Sequence, residues 1–134
     1  MATPKPPPAC VQLVAVFSRH ASAIEASRRL VQESWGTISL TSELFDHSET
    51  TYYEQEMGPG LHKQFWILSG NYDPATLASC KLQSNGWEAE LAAELNHPES
   101  RPVNIDPGYL TLTKLVLASA KDRAHRIYLS DGIY

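Results

Sequence analysis

The chain has 134 residues and a mass of 14.9 kDa, enough for one domain that buries roughly two-thirds of its unfolded surface without disulfide or metal staples. Its 43% apolar and 19% charged content exclude a disordered chain. Eleven basic against fifteen acidic residues give a formal charge of −4, a poor balance for non-specific nucleic-acid binding.

Residues 1–9 hold four prolines and predict an extended, disordered leader ahead of a single domain over 10–134. Val11 to Phe17, with Gln12 its one polar residue, predicts a central strand covered on both faces. Ser22 and Glu25 form a capping box, and Ile24, Val31 and Trp35 recur at helical spacing. Gly36 supplies a left-handed stop, so a helix is expected over 22–35. Ile38, Leu40 and Leu44 alternate with polar residues as in a strand with one wet face. An acidic stretch follows (Glu43, Asp46, Glu49, Glu54, Glu56), in which Glu54 or Glu56 could act as a base or ligand but is more simply a solvated carboxylate.

Gly58-Pro59-Gly60 predicts a turn and Phe65 to Leu68 another strand. Asp73 before Pro74 reads as an N-cap with proline at the first helical position. Leu77, Cys80, Ser84, Trp87 and Leu91 then extend a helix to about Leu95, which Gly86 weakens and His97-Pro98 ends. Val103 to Ile105 predicts a short strand and Asp106-Pro107-Gly108 a turn, while Thr111 to Lys121 fits helix or strand, with a helix capped by Thr111 or Thr113 favoured. Ile127 to Leu129 and Ile133-Tyr134 predict two strands joined at Ser130-Asp131-Gly132. The order implies an α+β two-layer sandwich, ferredoxin-like β-α-β-β-α-β with a C-terminal αβ tail; a doubly wound α/β fold is the alternative.

Cys10 and Cys80 lack any CxxC partner and read as small core residues kept reduced. Lys5, the apolar run Cys10–Phe17 and Ala21-Ser22-Ala23 imitate a secretory signal. The run is short, though, and Arg19 and His20 sit before the supposed cleavage site. No segment approaches the length of a membrane span, so a cytoplasmic protein without membrane partners is expected.

Three stretches carry a resemblance: Tyr52-Tyr53-Glu54-Gln55-Glu56-Met57-Gly58; Val103-Asn104-Ile105-Asp106-Pro107-Gly108-Tyr109-Leu110; and Lys114-Leu115-Val116-Leu117-Ala118 through His125-Arg126-Ile127-Tyr128-Leu129. Together they resemble DUF4416, a prokaryotic family without assigned function. The resemblance implies that members continue past the equivalent of Tyr134, so a C-terminally truncated domain is expected. It implies no reaction.

Candidate site residues concentrate in those stretches. Asn104, Asp106 and Tyr109 stand at a strand end, where ligands of α/β domains meet polar groups, although Asp106 could equally cap its own turn. Lys121, Arg123, His125 and Arg126 form a basic cluster suited to phosphate or carboxylate, or else a solvated loop. Lys81, Asn85 and Glu88 fall at i, i+4 and i+7, a polar stripe beside an apolar seam that is otherwise an ordinary surface row. The leading expectation is a domain binding a small anionic or nucleotide-like ligand. Catalytic roles fall to His125 and Asp106, and ligand contacts to Asn104, Tyr109, Lys121, Arg126, Lys81 and Asn85. The rival is a non-catalytic protein-interaction or homo-oligomerisation module using the acidic and basic segments. No P-loop, GxGxxG, HExxH or GxSxG occurs, no cofactor class is indicated, and His20, His47, His62, His97 and His125 are too dispersed for a local metal motif.

Overall fold

The computed structural model describes residues 1–48 and 51–134, which leaves Glu49 of the acidic stretch outside the described residues. Residues 1–9 are exposed and carry no regular structure. Strand β1 (Val11–Ser18) leads into α1 (Ala21–Ser34), β2 (Ile38–Thr41), the two-residue β3 (Phe45–Asp46), the single turn α2 (Glu54–Met57) and β4 (His62–Leu68). A 3₁₀ turn, Pro74–Thr76, opens α3 (Leu77–Leu95), followed by β5 (Asn104–Leu110) and β6 (Leu115–Leu117).

The fold is a mixed α/β one built on a six-stranded sheet of order β2-β4-β1-β5-β6, with β3 also on β4. Every ladder is antiparallel, which rules out the doubly wound parallel alternative. Alternation along β1 assigns its faces. Val14 and Val16 pack with Ile24 and Val31 of α1 and Trp87 and Leu91 of α3, while Phe17 turns to Met57 and Leu61 on the other face. Coverage on both sides is what an unbroken Val-rich strand requires, and β1 is buried from Gln12 to Ser18. Trp66 of β4 closes the helix-side core at 0% exposure, and its indole N–H donates to Gln64 Oε1 at 2.8 Å. No helix among the described residues is long and apolar enough to cross a membrane. Cys10 and Cys80 are buried with free thiols.

Four local expectations are corrected. Helix α1 begins at Ala21 with His20 as N-cap and no side-chain cap, so the Ser22–Glu25 box does not form; Ser22 Oγ instead lies 3.4 Å from His97 Nε2. Asp106-Pro107-Gly108 is not a turn but the middle of β5. The Pro107 carbonyl faces away from β1 and accepts from Ala118 N at 2.9 Å, so the missing proline N–H lies on that side too. No bond to β1 is lost. Residues 111–121 form no helix, because Thr111 Oγ1 accepts from the Thr113 and Lys114 amides at 3.1 and 3.0 Å and Thr111 N donates to Lys114 O at 2.9 Å. That closes a hairpin and returns the chain as β6. Ile127–Leu129 is not a strand either. Only a Ser130–Ile133 bridge forms, around Asp131 and Gly132 at φ 53° and 79°, a turn that glycine favours.

The remaining boundaries follow the local chemistry. Gly36 takes a φ of 127° after the C-cap Trp35, and Asn96 ends α3 in the left-handed region at φ 50°. Asp73 caps the 3₁₀ turn, accepting from Ala75 N at 3.0 Å.

Candidate functional site

Strand β6 pairs only with Gly108–Leu110, so the outer edge of β5 is bare around Ile105. A bare edge leaves backbone donors and acceptors unsatisfied. Here α3 supplies the partners from a stripe of side chains. Glu88 Oε1 accepts from Ile105 N at 2.7 Å, while Lys81 Nζ and Ser84 Oγ donate to Ile105 O at 3.0 and 2.8 Å. The polar stripe of α3 is therefore a seal along the sheet edge, and Lys81 and Glu88 are buried in it.

The seal continues as a chain of charges. Lys81 Nζ lies 2.7 Å from Asp106 Oδ1 and 3.7 Å from Glu88 Oε1. Asn104 Nδ2 donates to Asp106 Oδ2 at 2.7 Å, and Asn104 Oδ1 accepts from Arg101 Nη2. Arg101 also donates to Glu88 Oε2 at 3.1 Å and pairs with Glu56 at 3.5 Å, so Glu56 is held by an arginine. Burial pushes the Glu88 carboxyl above its ordinary range, against the opposing pull of Lys81 and Arg101.

Two adjoining hollows open on this network and share Tyr53, Asp106, Ser119 and Lys121. The inner one, about 170 Å³, is lined by Lys81, Asn85, Arg101 and Asn104 as well. The outer one, about 380 Å³, adds Tyr52, Arg123, His125 and Arg126. A further cavity of about 490 Å³ at the N-terminal end of β1 carries no charged side chain, so volume does not locate the chemistry.

Seven of the eight residues singled out from sequence thus share one groove: Lys81, Asn85, Asn104, Asp106, Lys121, His125 and Arg126. Tyr109 does not join them. Because β5 runs straight, Asn104 and Asp106 project to one face and Tyr109 to the other, where it packs near Ala118 and Ile133 with its ring 6.4 Å from that of Tyr72. Gly108 serves strand packing: a Cβ there would lie 2.3 Å from the Val116 carbonyl oxygen.

The cations of the groove divide into two groups. Lys81 and Arg101 are engaged with carboxylates. Among the described residues, Lys121, Arg123 and Arg126 have no carboxylate within 4.0 Å. Lys121 Nζ rests 4.2 and 4.8 Å from the ring centroids of Tyr52 and Tyr53. Arg126 Nη1 donates to Leu117 O at 3.0 Å, while its Nε is buried with no partner among the described residues. Arg101 and the tyrosines were not assigned to a site from sequence. Tyr52-Tyr53 lay within a recognised motif, but nothing local marked Arg101 as the hinge between Glu56, Glu88 and Asn104.

Residues 8–134 match a family described as a domain of unknown function, DUF4416, and the chain belongs to that family. No curated protein matches it.

Proposed function

We propose that this DUF4416 member binds a small anionic or nucleotide-like ligand in the groove beside β5. One observation carries the reading: Lys121, Arg123 and Arg126, three fixed cations without carboxylate partners, line a single hollow with the titratable His125. Lys121 and Arg126 neutralise the ligand's charge. Asp106, clamped by Lys81 and Asn104, fixes the wall behind the ligand, while Asn85 adds a neutral donor and acceptor. His125 is the group able to exchange a proton with a bound phosphate or its leaving group. The Tyr52 and Tyr53 rings, packed edge-to-face at 82° with the Lys121 ammonium over both, add aromatic surface beside the cations, which supports a nucleotide-like ligand. The buried free thiols support the expectation of a reducing, cytoplasmic setting.

The strand order β2-β4-β1-β5, with α1 and α3 sharing one core cluster, supports a ferredoxin-like core to which β3 and β6 are additions. That fold hosts many unrelated activities, so it adds nothing on the reaction.

The test is titration with phosphate, pyrophosphate and AMP, read by calorimetry and by the His125 ring resonances. Binding of at least one probe is expected, weakened roughly 10–100-fold by Lys121→Ala or Arg126→Ala, since each charge-assisted bond is worth about 1.5–3 kcal/mol. No binding by any probe, or binding indifferent to both substitutions, would overturn the reading. One observation favours the rival interaction module: Leu115 and Ile127 are exposed yet line an apolar groove of about 420 Å³. Sedimentation showing self-association abolished by Ile127→Asp would favour it.

A further inference from the structure

His20 is the N-cap of α1, and His97 and Glu99 follow the C-terminus of α3, so the three are far apart in sequence. The fold stacks the His20 and His97 rings with centroids 3.6 Å apart, and the His20 Nε2–H donates to Glu99 Oε2 at 2.7 Å. One nitrogen from each ring and a Glu99 oxygen all lie within 4.8 Å of one another, on partly exposed side chains. We propose that His20, His97 and Glu99 form a site for a borderline divalent transition ion such as Zn²⁺, distinct from the groove beside β5.

The donor set argues the class. Two imidazoles and one carboxylate suit Zn²⁺, Co²⁺ or Ni²⁺, whereas Mg²⁺ and Ca²⁺ prefer all-oxygen ligation. The ion takes the place of the hydrogen on His20 Nε2, and the neutral imidazole then carries its hydrogen on Nδ1. Ligand bonds of about 2.0–2.2 Å require the 2.7 Å contact to widen slightly and the stacked rings to splay, which broad χ2 torsions on partly exposed imidazoles allow. Glu99 is already oriented for this: Arg19 Nη1 holds its other oxygen, Oε1, at 2.9 Å, the outer-shell arrangement that fixes a monodentate carboxylate. The carboxylate also offsets the positive end of α1, where a dication bound by imidazoles alone would be disfavoured. Three protein ligands leave a fourth position open to water or an exogenous ligand.

The experiment uses the full chain, stripped with chelator and titrated with Zn²⁺ against a chromophoric competitor, with Co²⁺ as a spectroscopic probe. One ion per chain is expected, with the visible ligand-field bands of a four-coordinate Co²⁺ centre. His97→Ala and Glu99→Gln should each abolish the Co²⁺ bands, and Arg19→Ala should weaken Zn²⁺ binding roughly 10–100-fold. His62→Ala, an exposed histidine outside the cluster, should change neither. Metal-free melting curves identify any variant that fails to fold, and the His97→Ala/Arg19→Ala pair then decides. Absence of Zn²⁺ uptake, or uptake unaffected by these substitutions, overturns the proposal. Phosphate titrations in the absence of Zn²⁺ test the groove separately.

Discussion

Replacing Lys81 by Met tests whether the charged seal on β5 is a coupled unit. Lys81 is 3% exposed, and its ammonium holds Asp106 at 2.7 Å, Glu88 at 3.7 Å and the Ile105 carbonyl at 3.0 Å. At the effective dielectric that describes partly buried pairs, the Glu88 contact alone has a Coulomb energy of about 4 kcal/mol. Much of that is offset by desolvation of Lys81, which the methionine does not suffer. What remains is the cost of leaving Glu88 with Arg101 as its one cation and Asp106 with none among the described residues, about 3–5 kcal/mol if it matches other broken buried pairs. For a domain of this size that lowers the melting temperature by roughly 10–15 °C.

The sign with pH follows from Glu88. Its carboxyl is raised in the folded state mainly by burial, and losing Lys81 raises it further. A raised folded pKa means that the folded state binds the proton more tightly. Its contribution is therefore fully present below the unfolded value near 4.5 and is lost as pH rises. The deficit of Lys81→Met against the parent should thus be largest at neutral pH and shrink toward pH 4.5. Urea unfolding at several pH values measures it. A deficit below about 1 kcal/mol, or one that does not change with pH, would refute the idea that Lys81 compensates buried carboxylates.

Two glycines should behave oppositely. Gly108→Ala places a methyl against the Val116 carbonyl and should cost about 1–3 kcal/mol, with faster amide exchange along β6, whereas unchanged β6 protection would contradict the packing argument. Gly86→Ala, inside α3 with nothing within 4 Å of the added carbon, should stabilise the protein by about 1 kcal/mol in denaturant titrations. Cys10 and Cys80 are buried, and burial pushes the Cys10 thiol up, so neither should react with a thiol reagent until urea unfolds the chain; labelling of the native protein would show the sheet end to be open.

What could be read from the sequence was local and strongly periodic. The Val-rich β1 and the three-four spacing of α3 survived because burial reinforced the pattern that predicted them. The misreadings came where local turn chemistry and long-range pairing disagreed. Asp106-Pro107-Gly108 has the composition of a turn, yet six consecutive partners on β1, from Gln12 to Phe17, face Asn104–Tyr109 and hold it extended. The apolar spacing of Leu115, Val116 and Leu117 fits either period, and the Thr111 hydroxyl settled the matter in favour of a hairpin. The misread turn also misplaced Tyr109, since straightening β5 restored the two-residue alternation. Lys81, Asp106 and Lys121 were identified one by one from charge and spacing, but their meeting depends on an edge that β6 leaves uncovered, which no local pattern encodes.

That uncovered edge bears on how the protein behaves at high concentration. An open strand edge is a template on which further chains can be added, molecule after molecule, until a fibre grows. With the amide and carbonyl of Ile105 already consumed by Glu88, Lys81 and Ser84, an incoming strand would have to displace a buried ion network before making its first bond there. Lys81, which also lines the inner hollow, thus joins Ser84 and Glu88 in closing this stretch of β5 to strand addition.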